Sequence, residues 1–371
     1  MSIITYQLPE GVPPLTQYYI YLTAGCNLAC RHCWISPTYQ PNGGSGGHLD
    51  FGLFRIAIDD GIPLGLGSVK LTGGEPLLHP DFKKIVDYIA EKELNLTIET
   101  NGTLLTDDLA LYLKTNGSLR HISISLDGAT ASTHDRFRGV KGSFEKAING
   151  IRALSAVGYH PQIIMSLHQG NFHEIEALIH IAEELGAGSV KFNLIQSTGR
   201  GEKMSQQGQT LEIKNLVELG NWIENDLQKK VSIGLYYSWP MAFYSINHLL
   251  TSPSETCGIF NILGILASGQ LAMCGIGVED PELCYGTLGK DKLFDIWCNH
   301  PTLKSLRLEL PKNLKGVCGS CLFKNQCLGC CVAQNYHQAH SLDEPFWFCA
   351  AASEANLYPL SRLKEGSKVP E

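Results

Sequence analysis

The cysteines set the plan of the chain before any secondary structure is read. Cys26, Cys30 and Cys33 stand together, positions 34–256 contain none, and the other ten of the thirteen fall between Cys257 and Cys349. Two sulfur-rich ends therefore enclose a cysteine-free middle. The segment Met1 to Leu15 carries Pro9, Pro13 and Pro14 without a basic stretch leading into an apolar one, and no segment reaches membrane-spanning length. A cytoplasmic location is expected. In a reducing compartment, closely spaced thiols point to metal binding or catalysis in preference to disulfides. The charge balance, 36 acidic side chains against 29 Lys and Arg with no long basic run, gives no extended phosphate-binding surface, so a nucleic acid is not the expected partner.

The middle alternates between two periodicities. β-rich runs occupy Gln17 to Thr23, Ser68 to Thr72, Asn95 to Thr100, His121 to Leu126, Pro161 to Leu167 and Ser189 to Ile195. Helical patterns lie between them, at Asp81 to Glu93, Thr106 to Thr115, Ser143 to Val157 and Phe172 to Leu185. Six strands separated by helices imply an α/β fold with a parallel sheet, and both doubly wound and barrel arrangements satisfy the pattern. Ser197 to Gln209 reads as a Gly- and Gln-rich loop, Leu211 to Gln228 as one long amphipathic helix, and Val231 to Tyr237 as a strand. A boundary is expected near Trp239, with residues 1–238 and 239–371 on either side. Beyond it Ile262 to Ala267 and Gln270 to Cys274 flank Ser268 and Gly269, a hairpin signal.

Cys26, Cys30 and Cys33 form C-x3-C-x2-C just after the first expected strand, so one loop can bring three thiolates around one site. A closed structural zinc site takes four ligands, whereas an iron–sulfur cube on three cysteines keeps one iron open. A zinc loop borrowing a distant fourth ligand is the alternative. Leu71-Thr72-Gly73-Gly74-Glu75-Pro76 closes the second strand, and its glycines suit a backbone that approaches a ligand closely. Polar groups recur at later strand ends: Glu99-Thr100-Asn101-Gly102, Ser125-Leu126-Asp127-Gly128, then His134 to Gly139. Parallel α/β folds bind ligands at those ends.

These motifs resemble those of the radical S-adenosylmethionine (AdoMet) superfamily. The resemblance implies a partial (β/α)6 TIM-like barrel and a 4Fe-4S cluster on Cys26, Cys30 and Cys33, with His32 at the position often aromatic in the family. The open iron would bind the methionine moiety of AdoMet, and reductive cleavage would give a 5′-deoxyadenosyl radical that abstracts hydrogen from carbon. Gly73, Gly74, Glu75 and Pro76 would meet the methionine amino group. Asn101 and Ser125 would complete the cofactor contacts, and Arg138 would pair with the carboxylate, for which a guanidinium fork is suited. For Asp127, His134 and Arg136, turn chemistry or a surface ion pair is an equal reading.

Cys318, Cys321, Cys327 and Cys331 form C-x2-C-x5-C-x3-C, preceded by Cys257 and Gly269-x4-Cys274 and followed by Cys349. This resembles the seven-cysteine pattern of the SPASM domain, whose members act on peptides or proteins. The resemblance implies two auxiliary 4Fe-4S clusters, a nearer one on Cys257, Cys274 and Cys331 and an outer one on Cys318, Cys321, Cys327 and Cys349. Seven thiolates leave one iron open or bound by a further ligand such as Cys284. Cys298 reads as a packed core thiol, and Cys330 has no assignment. Auxiliary clusters could accept the electron left by a substrate radical or hold substrate.

The expected activity is modification of a ribosomally made precursor peptide. The run Tyr18 to Pro37 is similar to maturases of peptides with nif-type leaders, some of which excise tyramine and leave an α-keto-β-amino acid. Gly275 after Cys274 departs from sulfatase maturases, which carry an acidic base there. About two dozen residues precede Cys26, too few for a leader-binding module, so a separate leader-binding accessory protein is expected, with flavodoxin or ferredoxin as electron donor. The alternatives are thioether or carbon–carbon crosslinking, epimerisation, a small cofactor precursor as substrate, an iron–sulfur electron carrier without enzymatic activity, and a zinc-stabilised binding module.

Overall fold

Short alternating runs followed by helical spacing build a parallel sheet with connecting helices. The computed structural model describes residues 7–251 and 257–366. Strands Gln17–Tyr21, Ser68–Thr72, Asn95–Thr100, Leu119–Ser125, Gln162–Leu167, Ser189–Leu194 and Gly234–Tyr237 lie side by side in chain order, all parallel. Their order never reverses, as it would in a doubly wound sheet. On the other side of Gln17–Tyr21, Ile262–Ile265 adds in parallel, and Gln270–Ala272 and Cys284–Thr287 follow antiparallel to complete ten strands. One sheet thus runs across the expected boundary at residue 239.

Helices Phe82–Glu91, Asp107–Asn116, Ser143–Ala156 and Ile175–Glu184 connect the strands. The second shows why such segments stop and start where they do. Thr106 Oγ1 accepts from the Leu109 N–H at 3.2 Å, Asp107 and Asp108 face the positive end of the helix, and Gly117 ends it with φ of 77°. Thr106→Ala would remove that cap at a cost of about 1 kcal/mol.

The two faces of the sheet differ. Val69, Leu71, Leu96, Ile98, Ile163 and Met165 are fully buried in one core with helix residues such as Ile85, Ile89 and Ile151. Each such side chain contributes roughly 1.5–3 kcal/mol over its exposed state. The alternate residues Lys70, Thr97, Glu99, Gln162, Lys191 and Asn193 are polar and half-buried. A parallel sheet usually buries both faces in apolar contacts; here one face is left as a polar, partly open lining.

Three expectations are corrected. Gly199–Gln206 is a helix within the stretch read as a loop, because its glycines let it dock under the cysteine loop. The long helix spans Ile213–Trp222 and then widens into a π turn over Ile223–Leu227. The strand expected from Val231 begins at Gly234. Among the described residues, no helix is long and apolar enough to cross a membrane.

Candidate functional site

The loop leaving the first strand and the turn leaving the second lock together through backbone. Glu75 N–H donates to the Gly25 carbonyl at 3.1 Å, and Gly74 N–H donates to Thr23 O at 2.9 Å. A Cβ on Gly74 would stand 1.9 Å from Gly25 O, so only glycine permits the approach. Gly73 has φ of 131° and lies against Leu22 and Thr23. Glu75, 1% exposed, accepts from Thr100 Oγ1 at 2.6 Å, Asn101 N at 2.9 Å and Leu77 N at 3.1 Å, the last capping the short turn Pro76–Leu78. Burial pushes its carboxyl pKa up against those donors.

Nitrogen donors face the sulfurs. Asn101 Nδ2 lies 3.8 Å from Cys26 Sγ, Leu28 N 3.4 Å from the same atom, and Arg138 Nη1 3.6 Å from Cys30 Sγ. Burial, then the neighbouring Glu75 carboxylate, pushes the Cys26 thiol up, and Cys30 and Cys33 add to it. Deprotonating three thiols that crowd one another needs compensating positive charge, which a metal cluster carries. Among the described residues, no three His, Cys, Asp or Glu side chains are placed to hold a single metal ion. In an iron–sulfur cube each cysteine holds a different iron, so the thiolates need not converge on one atom.

Around this loop several buried polar atoms have no partner: His32 Nδ1, His134 Nε2, His168 Nε2, Thr198 Oγ1, and Nε and Nη2 of Arg200. Buried polar groups are almost always satisfied, so this concentration fits a polar ligand. The His32 ring stacks on Phe137 at 4.3 Å and Phe137 stacks on His168 at 4.2 Å, giving a wall of flat rings. Ser125 is half-buried at the end of its strand. Arg138, 7% exposed, has Nε on the Asp127 carboxylate, so its fork is already engaged within the protein. His134 Nδ1 accepts from Asp127 N at 3.1 Å, whereas Asp135 caps the following turn through Gly142 and Phe144. The residues gather as the motifs suggested, but Arg200, Thr198 and His168 were not singled out; no spacing marks them.

In the C-terminal part, Cys318, Cys321, Cys327 and Cys349 line one pocket together with Lys324 and Tyr358. Cys257, Cys274 and Cys331 lie within electrostatic reach of one another. Cys330, a free thiol at φ of 60°, is hydrogen-bonded to the Cys327 thiol and lies within electrostatic reach of Cys331 and Cys257, so it touches both sets. Cys284 packs apart from them with Tyr21, Ile35, Leu266 and Ala272 and donates to Gly277 O at 3.5 Å. Cys298 is 2% exposed in helix Leu293–Asn299. A side chain at Gly275 would strike the Tyr21 ring at 2.3 Å, so that position leaves no room for an acidic base.

On the polar lining, Lys70 Nζ pairs with Glu99 Oε1 at 2.5 Å and lies over the Tyr19 ring at 4.7 Å. Burial opposes the ammonium form of Lys70, but Glu99 and Tyr19 outweigh it and raise its pKa. Cys257 and Cys274 act electrostatically on Tyr19, so the lining reaches the second cysteine region.

Residues 20–182 match the family model of the radical SAM superfamily. An AdoMet-dependent heme synthase of Methanosarcina barkeri is 31% identical over 325 residues, covering 83% of this chain and 89% of that protein. The chain belongs to the radical SAM superfamily. Another relative within this superfamily is the mycofactocin maturase MftC of Mycobacterium tuberculosis, 27% identical over 330 residues, with 87% and 80% of the two chains covered. In fold, this radical SAM chain is similar to Streptococcus suis SuiB bound to the precursor peptide SuiA: TM-score 0.69, 17% identity, 91% of this chain and 76% of that one. Membership implies a 4Fe-4S cluster and AdoMet, and the thiols and unpartnered polar atoms around the loop fit both.

Proposed function

We propose that this radical SAM enzyme is a peptide maturase with a partial (β/α)6 barrel, residues 1–238, followed by a SPASM domain, residues 239–371. The observation that carries the peptide reading is the gathering of the C-terminal cysteines into two sets, four of them around one pocket. Each set would hold an auxiliary 4Fe-4S cluster. The likeness to MftC supports the same reading.

Cys26, Cys30 and Cys33 would hold a 4Fe-4S cluster, which would supply one-electron reduction of AdoMet and with it the chemistry for hydrogen-atom abstraction from substrate. The protein's own residues do the rest. Glu75, held by Thr100 and Asn101, presents a carboxylate to the AdoMet amino group. Gly73, Gly74, Pro76, Asn101 and Ser125 shape that pocket, and Arg138 sits against Cys30. The wall of His32, Phe137 and His168 offers flat faces, and the polar lining from Tyr19 to Glu99 receives the substrate. Within this class the similarity of Tyr18 to Pro37 supports excision of tyramine from a peptide with a nif-type leader. A leader-binding accessory protein and a flavodoxin or ferredoxin would serve it in the cytoplasm.

A second reading, an iron porphyrin as substrate, is favoured by the 31% identity to a heme synthase. Anaerobically reconstituted protein with AdoMet and a reductant is offered a nif-type-leader precursor peptide or an iron porphyrin, and products are weighed by mass spectrometry. A mass change in the peptide alone supports maturation; a change in the porphyrin alone overturns it.

A further inference from the structure

Thr198 to Gly201 is pressed against the backbone of the cysteine loop. Arg200 N–H donates to Cys33 O at 3.0 Å, a Cβ on Gly199 would meet Trp34 O at 2.6 Å, and one on Gly201 would meet His32 O at 3.2 Å. Glycines on both sides of Arg200 thus let this residue sit at the Cys33 end of the loop. Ile195 and Met204, on either side of the segment, are buried in one apolar cluster with Phe137.

The Arg200 side chain lies within electrostatic reach of the His32 ring. Its Nε and Nη2 are buried and have no hydrogen-bond partner among the described residues. Those two nitrogens form one edge of the guanidinium, the edge that gives two parallel N–H···O bonds to a carboxylate. The residue as a whole is half-buried, but two guanidinium N–H groups shut off from water without an acceptor are costly, and their place beside the cysteine loop asks for a ligand. Thr198 Oγ1, 1% exposed and equally unpartnered, stands two residues away on the same segment.

We propose that the Nε and Nη2 edge of Arg200 anchors a carboxylate of the substrate beside the cysteine loop. The inference rests on the AdoMet site proposed above. AdoMet also carries a carboxylate, but on the same carbon as its amino group. Glu75 and Asn101 stand at Cys26, whereas Arg200 is fixed to Cys33 through its backbone, so the AdoMet amino group at Glu75 and a carboxylate at Arg200 would sit at different cysteines of the loop. A peptide would offer an Asp or Glu side chain or its C-terminus; a porphyrin would offer its carboxylate side arms. The chemistry recognised is the same.

The test is thermal unfolding of anaerobically reconstituted wild-type protein and Arg200→Met, alone and with AdoMet, sodium propionate or propionamide. An unpartnered cation predicts that Arg200→Met, without additives, melts no lower than wild type. Propionate should raise the Tm of wild type and not of the variant, propionamide should raise neither, and AdoMet should raise both by the same amount. A lower Tm for the variant alone would show a structural residue and overturn the proposal. Equal effects of propionate on both proteins would do the same. Loss of the AdoMet shift in Arg200→Met would assign the carboxylate to AdoMet and overturn the substrate assignment. Failure of AdoMet to stabilise or be cleaved by wild type would sink the radical reading instead, while the propionate arm would still judge Arg200.

Discussion

Asp127 and Arg138 form an ion pair at 0% and 7% exposure, and Arg138 spends its other arm on the Cys30 thiol at 3.6 Å. Asp127 Oδ1 also accepts from Ser166 N at 2.7 Å, so one carboxylate joins two strand ends to the cysteine loop. Asp127→Asn keeps one acceptor but turns an amide N–H toward the guanidinium. Removing one partner of a buried pair typically costs about 3–5 kcal/mol. Urea unfolding should show a loss of that order.

Gly74 bears on cluster assembly through sterics alone. Its missing Cβ would overlap Gly25 O at 1.9 Å, and because the obstacle is backbone, no side-chain rotation relieves it. Gly74→Ala should push the cysteine loop away and lower the iron content by about four per chain. An unchanged iron count would refute this account of the turn.

His134 and His168 carry a pH dependence whose sign follows from burial. Desolvation lowers both pKa values to about 4 from the ordinary 6.5. In the unfolded chain they take up protons as pH falls below about 6.5, while the folded chain keeps them neutral down to about 4. Stability is therefore full above that window and is lost as pH falls through it, by up to about 1.4 kcal/mol per pH unit for each ring. His134→Gln should flatten the slope between pH 5 and 6.5 by up to one proton, as read from urea unfolding at several pH values.

Lys70 separates radical formation from substrate handling. It faces the polar lining, paired with Glu99, and none of its contacts touches the Cys26 loop. Lys70→Met should leave 5′-deoxyadenosine formation without substrate unchanged and reduce product formation roughly tenfold, about 1.4 kcal/mol of barrier. Equal loss in both assays would remove Lys70 from the substrate face.

Much of this arrangement was legible in the residues. Ser68–Thr72 and Asn95–Thr100 appear where the alternation put them, since each buries one face against helices. The helix Ala131–Arg138 was hidden because its composition is polar apart from Ala131 and Phe137 and it reads as turn chemistry; the Thr130 cap and burial of His134, Phe137 and Arg138 hold it. Gly199–Gln206 was hidden because two glycines weaken any helical signal, and docking under the cysteine loop supplies what propensity lacks. The strand Cys284–Thr287 is four residues long and pairs only at the sheet edge. Arg200 could not be found from sequence, because its distinguishing property is two guanidinium nitrogens buried without an acceptor.

The most direct test of the central claim compares wild type with a variant in which Cys26, Cys30 and Cys33 are all Ala, after anaerobic reconstitution, by counting iron and sulfide and assaying 5′-deoxyadenosine from AdoMet. The account predicts about twelve irons in wild type, about eight in the variant, and AdoMet cleavage in wild type only. Zinc in place of iron, or no cleavage by the intact chain under strong reduction, would contradict it.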